Sequence, residues 1–162
     1  MWLNLGWILF LAAIPVSEIR GAMIYAFMNL EGVSQLVAAY LISVAANFLP
    51  VPFVILLFRP IVKWLKTTRL FGRVAHWLEE RTSRKAGALS KATAGALMVF
   101  VAIPFPTTGA WTGAMIASLL DMRLKYALPA ILAGIMISGL IMTLLLTGAL
   151  NLGALGEWLI TN

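Results

Sequence analysis

The chain contains no cysteine. Disulfides, thiol catalysis, iron–sulfur clusters and cysteine-ligated zinc are therefore excluded. Its single histidine, His76, has no companion set of ligating side chains, so no metal and no other cofactor is expected. A glycine-rich phosphate loop is missing, as is a Ser/His/Asp set within an apolar segment. An ATPase or hydrolase is not expected, and the chain reads as a non-enzyme. Charge is scarce too: 11% of the 162 residues are charged and 62% are apolar, with a mean hydropathy of +0.96. Soluble domains carry about 25% charged and about 45–50% apolar residues. Disordered chains are more polar still. The opening Met1-Trp2-Leu3-Asn4-Leu5-Gly6-Trp7 lacks a basic flank and a clear cleavage site, so it reads as mature sequence, not a signal peptide.

What is present is membrane-like. Residues 32–58, 92–120 and 126–156 hold no Asp, Glu, Lys or Arg. Each run exceeds the roughly 20 residues that cross a bilayer. The formal net charge of +6 is concentrated in residues 59–91, which carry nine of the twelve Lys and Arg against only Glu79 and Glu80. A basic chain can bind nucleic acid. Here the basic run is hemmed by apolar spans, so the expected partners are anionic lipid headgroups, not nucleic acid. The positive-inside rule assigns residues 59–91 to the cytoplasmic side of a multi-pass cell-membrane protein. Leu70, Phe71, Val74 and Leu78 share one helical face there, which fits an amphipathic helix at headgroup level.

An internal repeat organises the rest. Ala13-Ile14-Pro15 recurs as Ala102-Ile103-Pro104, and Gly21-Ala22-Met23-Ile24 recurs as Gly113-Ala114-Met115-Ile116. Each copy reads as an apolar arm, a proline break, a second arm, a polar turn and a long helix. The first copy has arms at about 3–14 and 17–28 and a helix from 33; the second has arms at about 93–103 and 109–120 and a helix over 126–150. An arm of 11–12 residues spans roughly 17 Å, about half of a 30 Å hydrocarbon core. The expected fold is all-α and integral to the membrane. Two re-entrant hairpins, each followed by a transmembrane helix, form an inverted repeat. The units are 1–58, the basic segment 59–91, and 92–162. Arg123 and Lys125 fit this plan, because a hairpin returns them to the side of the basic segment.

Polar chemistry is confined to the breaks. Pro15, Pro50, Pro52, Pro104 and Pro106 interrupt the apolar runs, and each removes a backbone donor. Non-helical backbone at membrane depth survives only where protein or a wet cavity satisfies it. The helix that follows each break starts with free N–H groups and a positive dipole end. Two such ends meeting near the midplane would attract an anion. Arg20 would add a guanidinium fork, and Thr107, Thr108 and Thr112, with Gly109 and Trp111 beside them, would complete a substrate site. Glu18 is the expected proton carrier, since intramembrane carboxylates default to function. Asn47 would line the cavity or bond a hairpin tip. Small residues at four-residue spacing (Ala39/Ser43/Asn47, Ala130/Gly134/Ser138, Gly109/Gly113/Ala117) mark close helix packing.

Ile14-Pro15-Val16-Ser17-Glu18-Ile19-Arg20-Gly21-Ala22, Asn47-Phe48-Leu49-Pro50-Val51-Pro52-Phe53, Arg59-Pro60 and the run from Pro104 to Gly113 resemble, in that order, the bacterial and archaeal small multi-drug export protein family. That family is distantly similar to the DedA/VTT membrane proteins. The resemblance implies paired re-entrant hairpins and transport or flipping of lipid substrates such as polyprenyl phosphate. The second hairpin departs from the DedA pattern in carrying no arginine. The expected function is transport of an amphiphilic, anionic, lipid-like substrate, proton-linked or passive. The alternatives are export of small hydrophobic drugs and a non-transporting scaffold that binds anionic lipid through residues 59–91. Two crossings and two hairpins enclose little, which favours a homodimer.

Overall fold

A computed structural model describes residues 2–15, 17–66, 86–105 and 108–161. Among these residues every regular element is a helix: α1 (Trp2–Ala13), α2 (Glu18–Asn29), α3 (Val33–Phe48), α4 (Val51–Lys66), α5 (Ala86–Ala102), α6 (Ala110–Leu119) and α7 (Leu124–Thr161). The expected amphipathic helix around Leu70–Leu78, His76, Pro106 and Thr107 all lie outside the described residues.

Proline sets several of the boundaries. α1 stops at Ala13 and α5 at Ala102, each two residues before a proline, because a proline disfavours helical backbone in the residue before it. The repeat is in register with the helices. Ala13 and Ala102 end their helices, while Gly21 and Gly113 are each the fourth residue of α2 and α6. α2 closes with Leu30 N–H on the Ala26 carbonyl (2.9 Å). The chain then turns through Gly32 at φ +93°, a conformation suited to glycine. Only Leu49 and Pro50 separate α3 from α4, and helical bonds continue on both sides (Leu49 N–H to Ala45 O, 3.0 Å; Val54 N–H to Pro50 O, 2.9 Å). Pro50 therefore kinks one long rod instead of ending it, and Pro52 sits in the first turn of α4, where its missing N–H costs nothing.

Helix lengths differ from expectation in one direction. α4 runs on to Lys66, α5 begins at Ala86 instead of about 93, and α7 extends to Thr161. Residues 86–94 are rich in alanine, the best helix former. Apolar periodicity fades at residue 92, but helix propensity does not. Pro60 lies inside α4 without ending it.

Among the described residues two helices are long and apolar enough to cross a membrane: the kinked rod Val33–Val62 and the first part of α7, Leu124–Gly148. The short helices double back beside them. Asn4, near the start of α1, reaches the end of α2, with Nδ2 donating to Asn29 O (3.4 Å) and Oδ1 accepting from Tyr25 Oη (3.3 Å). In the second copy α5 and α7 run parallel. Ala94 and Met98 share a groove with Tyr126 and Ala130, and Gly134 faces Val101. The chain has therefore returned to its starting level by residue 124.

The helices pack as one body. α1 lies on α2 and α3, α5 on α6 and α7, α2 on α7, and α6 on α4. Small residues set these distances. A Cβ on Gly134 would lie 2.7 Å from Val101 Cβ and 2.8 Å from the Met98 carbonyl oxygen. One on Gly139 would lie 2.7 Å from both Ile19 Cδ1 and Tyr40 Cε2, so α2, α3 and α7 meet at that glycine. All nine residues of the three small-residue stripes are buried. The outer faces remain apolar: Phe53 is 69% and Leu144 73% exposed, among many others. Apolar surface of this extent suits contact with a membrane or with another protein.

Candidate functional site

The start of α2 meets the start of α6. Glu18 lies at left-handed φ (+51°), a backbone state that costs a non-glycine residue about 1–3 kcal/mol. Its amide still reaches back to Ile14 O (3.0 Å) across the break. Its carboxylate is buried and crosses to the other hairpin, where the Trp111 backbone N–H donates to Glu18 Oε1 (3.4 Å). A carboxylate at a helix N-terminus meets free N–H groups and the positive end of the dipole.

Gly109 explains how the carboxylate gets so close. Its φ of 172° is open to any residue. A Cβ there, however, would run into the Glu18 carboxylate. Glycine is needed for approach, not for conformation. Gly21 works similarly within the first hairpin, leaving room for the Ser17 hydroxyl.

Arg20 completes the junction. Its Nη2 lies 3.9 Å from Glu18 Oε2, donates to the Thr108 carbonyl, and lies 3.5 Å from Thr108 Oγ1. The two residues are at i, i+2 and would point apart on a regular helix; the non-helical backbone at Glu18 lets them meet. Arg20 Nε and Trp111 Nε1 are buried without a hydrogen-bond partner.

The threonines mostly serve their own loop. Thr108 Oγ1 donates to Ile103 O (2.7 Å) or Phe105 O (3.1 Å). Thr112 Oγ1 accepts from Gly109 N–H (3.0 Å), the reach-back half of a capping box. These bonds stiffen the 103–109 turn that receives Arg20.

Asn47 makes no hydrogen bond to the described residues of either tip. It is 1% exposed and its Oδ1 has no partner. Its depth nonetheless matches theirs. α2 and α3 pack together across a short turn, α2 is about 18 Å long, and Asn47 lies about 21 Å along α3. Sequence reasoning gave Ser43 and Ser138 a packing role only. Both are buried with unpartnered hydroxyls. Asn47 is the fifteenth residue of α3 and Ser138 the fifteenth of α7. An orphaned polar atom thus lies at the same step of the long helix in each copy. The signal available in the sequence was the lone polar residue inside each small-residue stripe.

Arg59 was read as part of the basic run and of the Arg59-Pro60 motif, without a contact of its own. Its Nη2 donates to Met122 O (2.6 Å), just past the end of α6. A cation at a helix C-terminus is favourable. Ser118 Oγ, on the same helix, donates to Ile55 O (3.1 Å) or Ala114 O (3.0 Å), fixing α6 to α4.

One structural expectation changes. The N-terminus of α6 is not an open anion site, because the chain's own Glu18 occupies it. What the junction leaves unpaired are donors on Arg20 and Trp111 and polar atoms on Ser43, Asn47 and Ser138.

No curated protein and no solved structure matches the chain. The profile of the family described as "Putative small multi-drug export protein" matches residues 18–141. That match starts at the carboxylate that crosses between the two helix starts and includes the whole junction, and the chain belongs to this family.

Proposed function

We propose that the chain is a membrane transporter of amphiphilic molecules and that the junction of α2 with α6 is its gate. The observation that carries this reading is the Glu18–Arg20 pair, buried and bonded across the two hairpin tips instead of facing bulk water. Intramembrane charges that face a bundle interior mark transport paths.

The two copies are read as re-entrant hairpins of opposite orientation. α1, α2 and α6 are about 18, 18 and 15 Å long, too short to cross a 30 Å core. The packing supports duplication: in each copy the first arm lies on the second arm and on the long helix, and the second arm touches the long rod of the other copy. Residues 59–91 are cytoplasmic on this reading.

The closed junction holds no net charge, since Glu18 and Arg20 offset one another. Protonating Glu18 weakens its bond to the α6 N-terminus and releases Arg20. The tips then part, and the polar atoms of Asn47, Ser138 and Trp111 become available to the head of an amphiphile. Coupling to protons follows from this exchange. An anionic lipid-like molecule would take the place Glu18 leaves; a small hydrophobic drug, as the family description has it, would use the same opening.

Proteoliposomes test the proposal with a fluorescent short-chain anionic phospholipid and a lipophilic cationic dye. Movement of one or both is expected with the native chain and should fall at least tenfold in Glu18→Gln and Arg20→Ala. Unchanged movement in both variants removes the site. No movement by the native chain, with vesicle binding that depends only on residues 59–91, favours the scaffold alternative.

A further inference from the structure

A second cavity lies far from the hairpin junction. It is an open groove of about 310 Å³ between α5 and α7, walled by Ala94, Gly95 and Met98 on one side and Tyr126, Pro129 and Ala130 on the other. Its walls are apolar. Small residues make the recess, and a Cβ on Gly95 would meet nothing within 4 Å. Lys125 stands at the edge, with its ammonium 4.9 Å from the centre of the Tyr126 ring. Pro129 has no N–H for the Lys125 carbonyl, so that oxygen loses its usual helical partner.

Depth and charge indicate what the groove meets. Ser138 lies at the level of the hairpin tips, and Lys125 is about 20 Å back along α7. Half of a membrane, headgroups included, is about 20–22 Å. With the tips at mid-depth, Lys125 reaches the headgroup layer while the groove runs below it, into the acyl region. Arg123 is exposed two residues away. Both cations lie on the side of the basic segment 59–91, because α5 starts within that segment and runs parallel to α7.

We infer that this groove is a binding site for one anionic phospholipid of the leaflet that faces residues 59–91. An acyl chain fills the recess between Gly95 and Pro129. The phosphate pairs with Lys125, with Arg123 adding long-range attraction, and a headgroup hydroxyl can donate to the Lys125 carbonyl. The site is separate from the Glu18–Arg20 junction and holds a resident lipid, not the transported molecule. Its geometry rests on the transmembrane reading of α7, not on transport.

Native mass spectrometry of the purified full chain, released from nanodiscs of equal phosphatidylglycerol and phosphatidylcholine, tests the inference. The native chain should retain one phosphatidylglycerol in preference to phosphatidylcholine by at least fivefold. A Cβ at Gly95 meets nothing within 4 Å, so Gly95→Leu places its side chain in the recess and should lose the bound lipid. Lys125→Gln should keep a lipid but lose the preference. Near-equal retention of the two lipids by the native chain overturns the site as an anion-selective one. Retention unchanged in Gly95→Leu overturns the groove as its location. Movement of the fluorescent amphiphiles should survive Gly95→Leu, so failure here is distinguishable from failure of the transport proposal.

Discussion

Glu18 and Arg20 are held in place by each other and by the opposite hairpin. Removing one partner of a buried pair leaves the other charge uncompensated, at a cost of about 3–5 kcal/mol. Glu18→Gln alone should therefore lower stability in micelles by that order. The double variant Glu18→Gln/Arg20→Gln should lose less than the sum of the two single variants, as read from denaturant unfolding. Gly109→Ala probes the same contact from the other side. Its methyl group displaces the Glu18 carboxylate, so a loss of about 1–3 kcal/mol is expected, as for overpacking elsewhere. A wild-type melting curve for Gly109→Ala would mean that the carboxylate does not lie against Gly109. Among these residues Glu18, Arg20 and the 107–112 turn were legible as unusual polar groups in apolar sequence. The trans contact was not. Nothing local in Glu18 signals that its partner lies more than ninety residues away.

At the scale of the element, close packing through small residues carries the architecture. Gly134→Leu forces side-chain atoms into Val101 and the Met98 carbonyl and should lower the melting temperature sharply. Gly148→Leu, where a Cβ meets nothing within 4 Å, should leave it within error. Equal effects of the two would contradict the tight crossing of α5 and α7. Arg59→Gln removes the cation that bonds the chain just past α6 and should cost about 1–2 kcal/mol in the same assay. The proline breaks and the small-residue stripes were readable beforehand, because both act through local sterics. The end of α4 and the start of α5 were not. No proline marks them, and helix propensity carries the helix past the apolar pattern.

Topology belongs to the whole molecule. The proposed entry of the two hairpins from opposite faces would put residues 29–32 and 121–125 on opposite sides of the membrane. A chain without cysteine suits the test. Glu31 and Arg123 are exposed, so Glu31→Cys and Arg123→Cys each provide a single reactive thiol. In oriented vesicles a membrane-impermeant maleimide should label one variant from outside and the other only after permeabilisation. Labelling of both from one side would reject the inverted arrangement and, with it, alternating access between the two copies.

Composition and pattern determined the solvent and the class of fold. So few charges and such long apolar runs do not suit water, and a proline in mid-run removes a backbone donor wherever it falls, whether a helix ends near it, as at Pro15 and Pro104, or runs on through it, as at Pro60 and Pro129. Both are properties of single segments, independent of what those segments touch. Tertiary structure alone decided which groups are free. It spent the α6 N-terminus on Glu18, tied Thr108 and Thr112 into their own turn, and left Asn47 and Ser138 without partners. A hydrogen bond needs two groups within about 3 Å, and which distant groups come that close is fixed only when the helices pack.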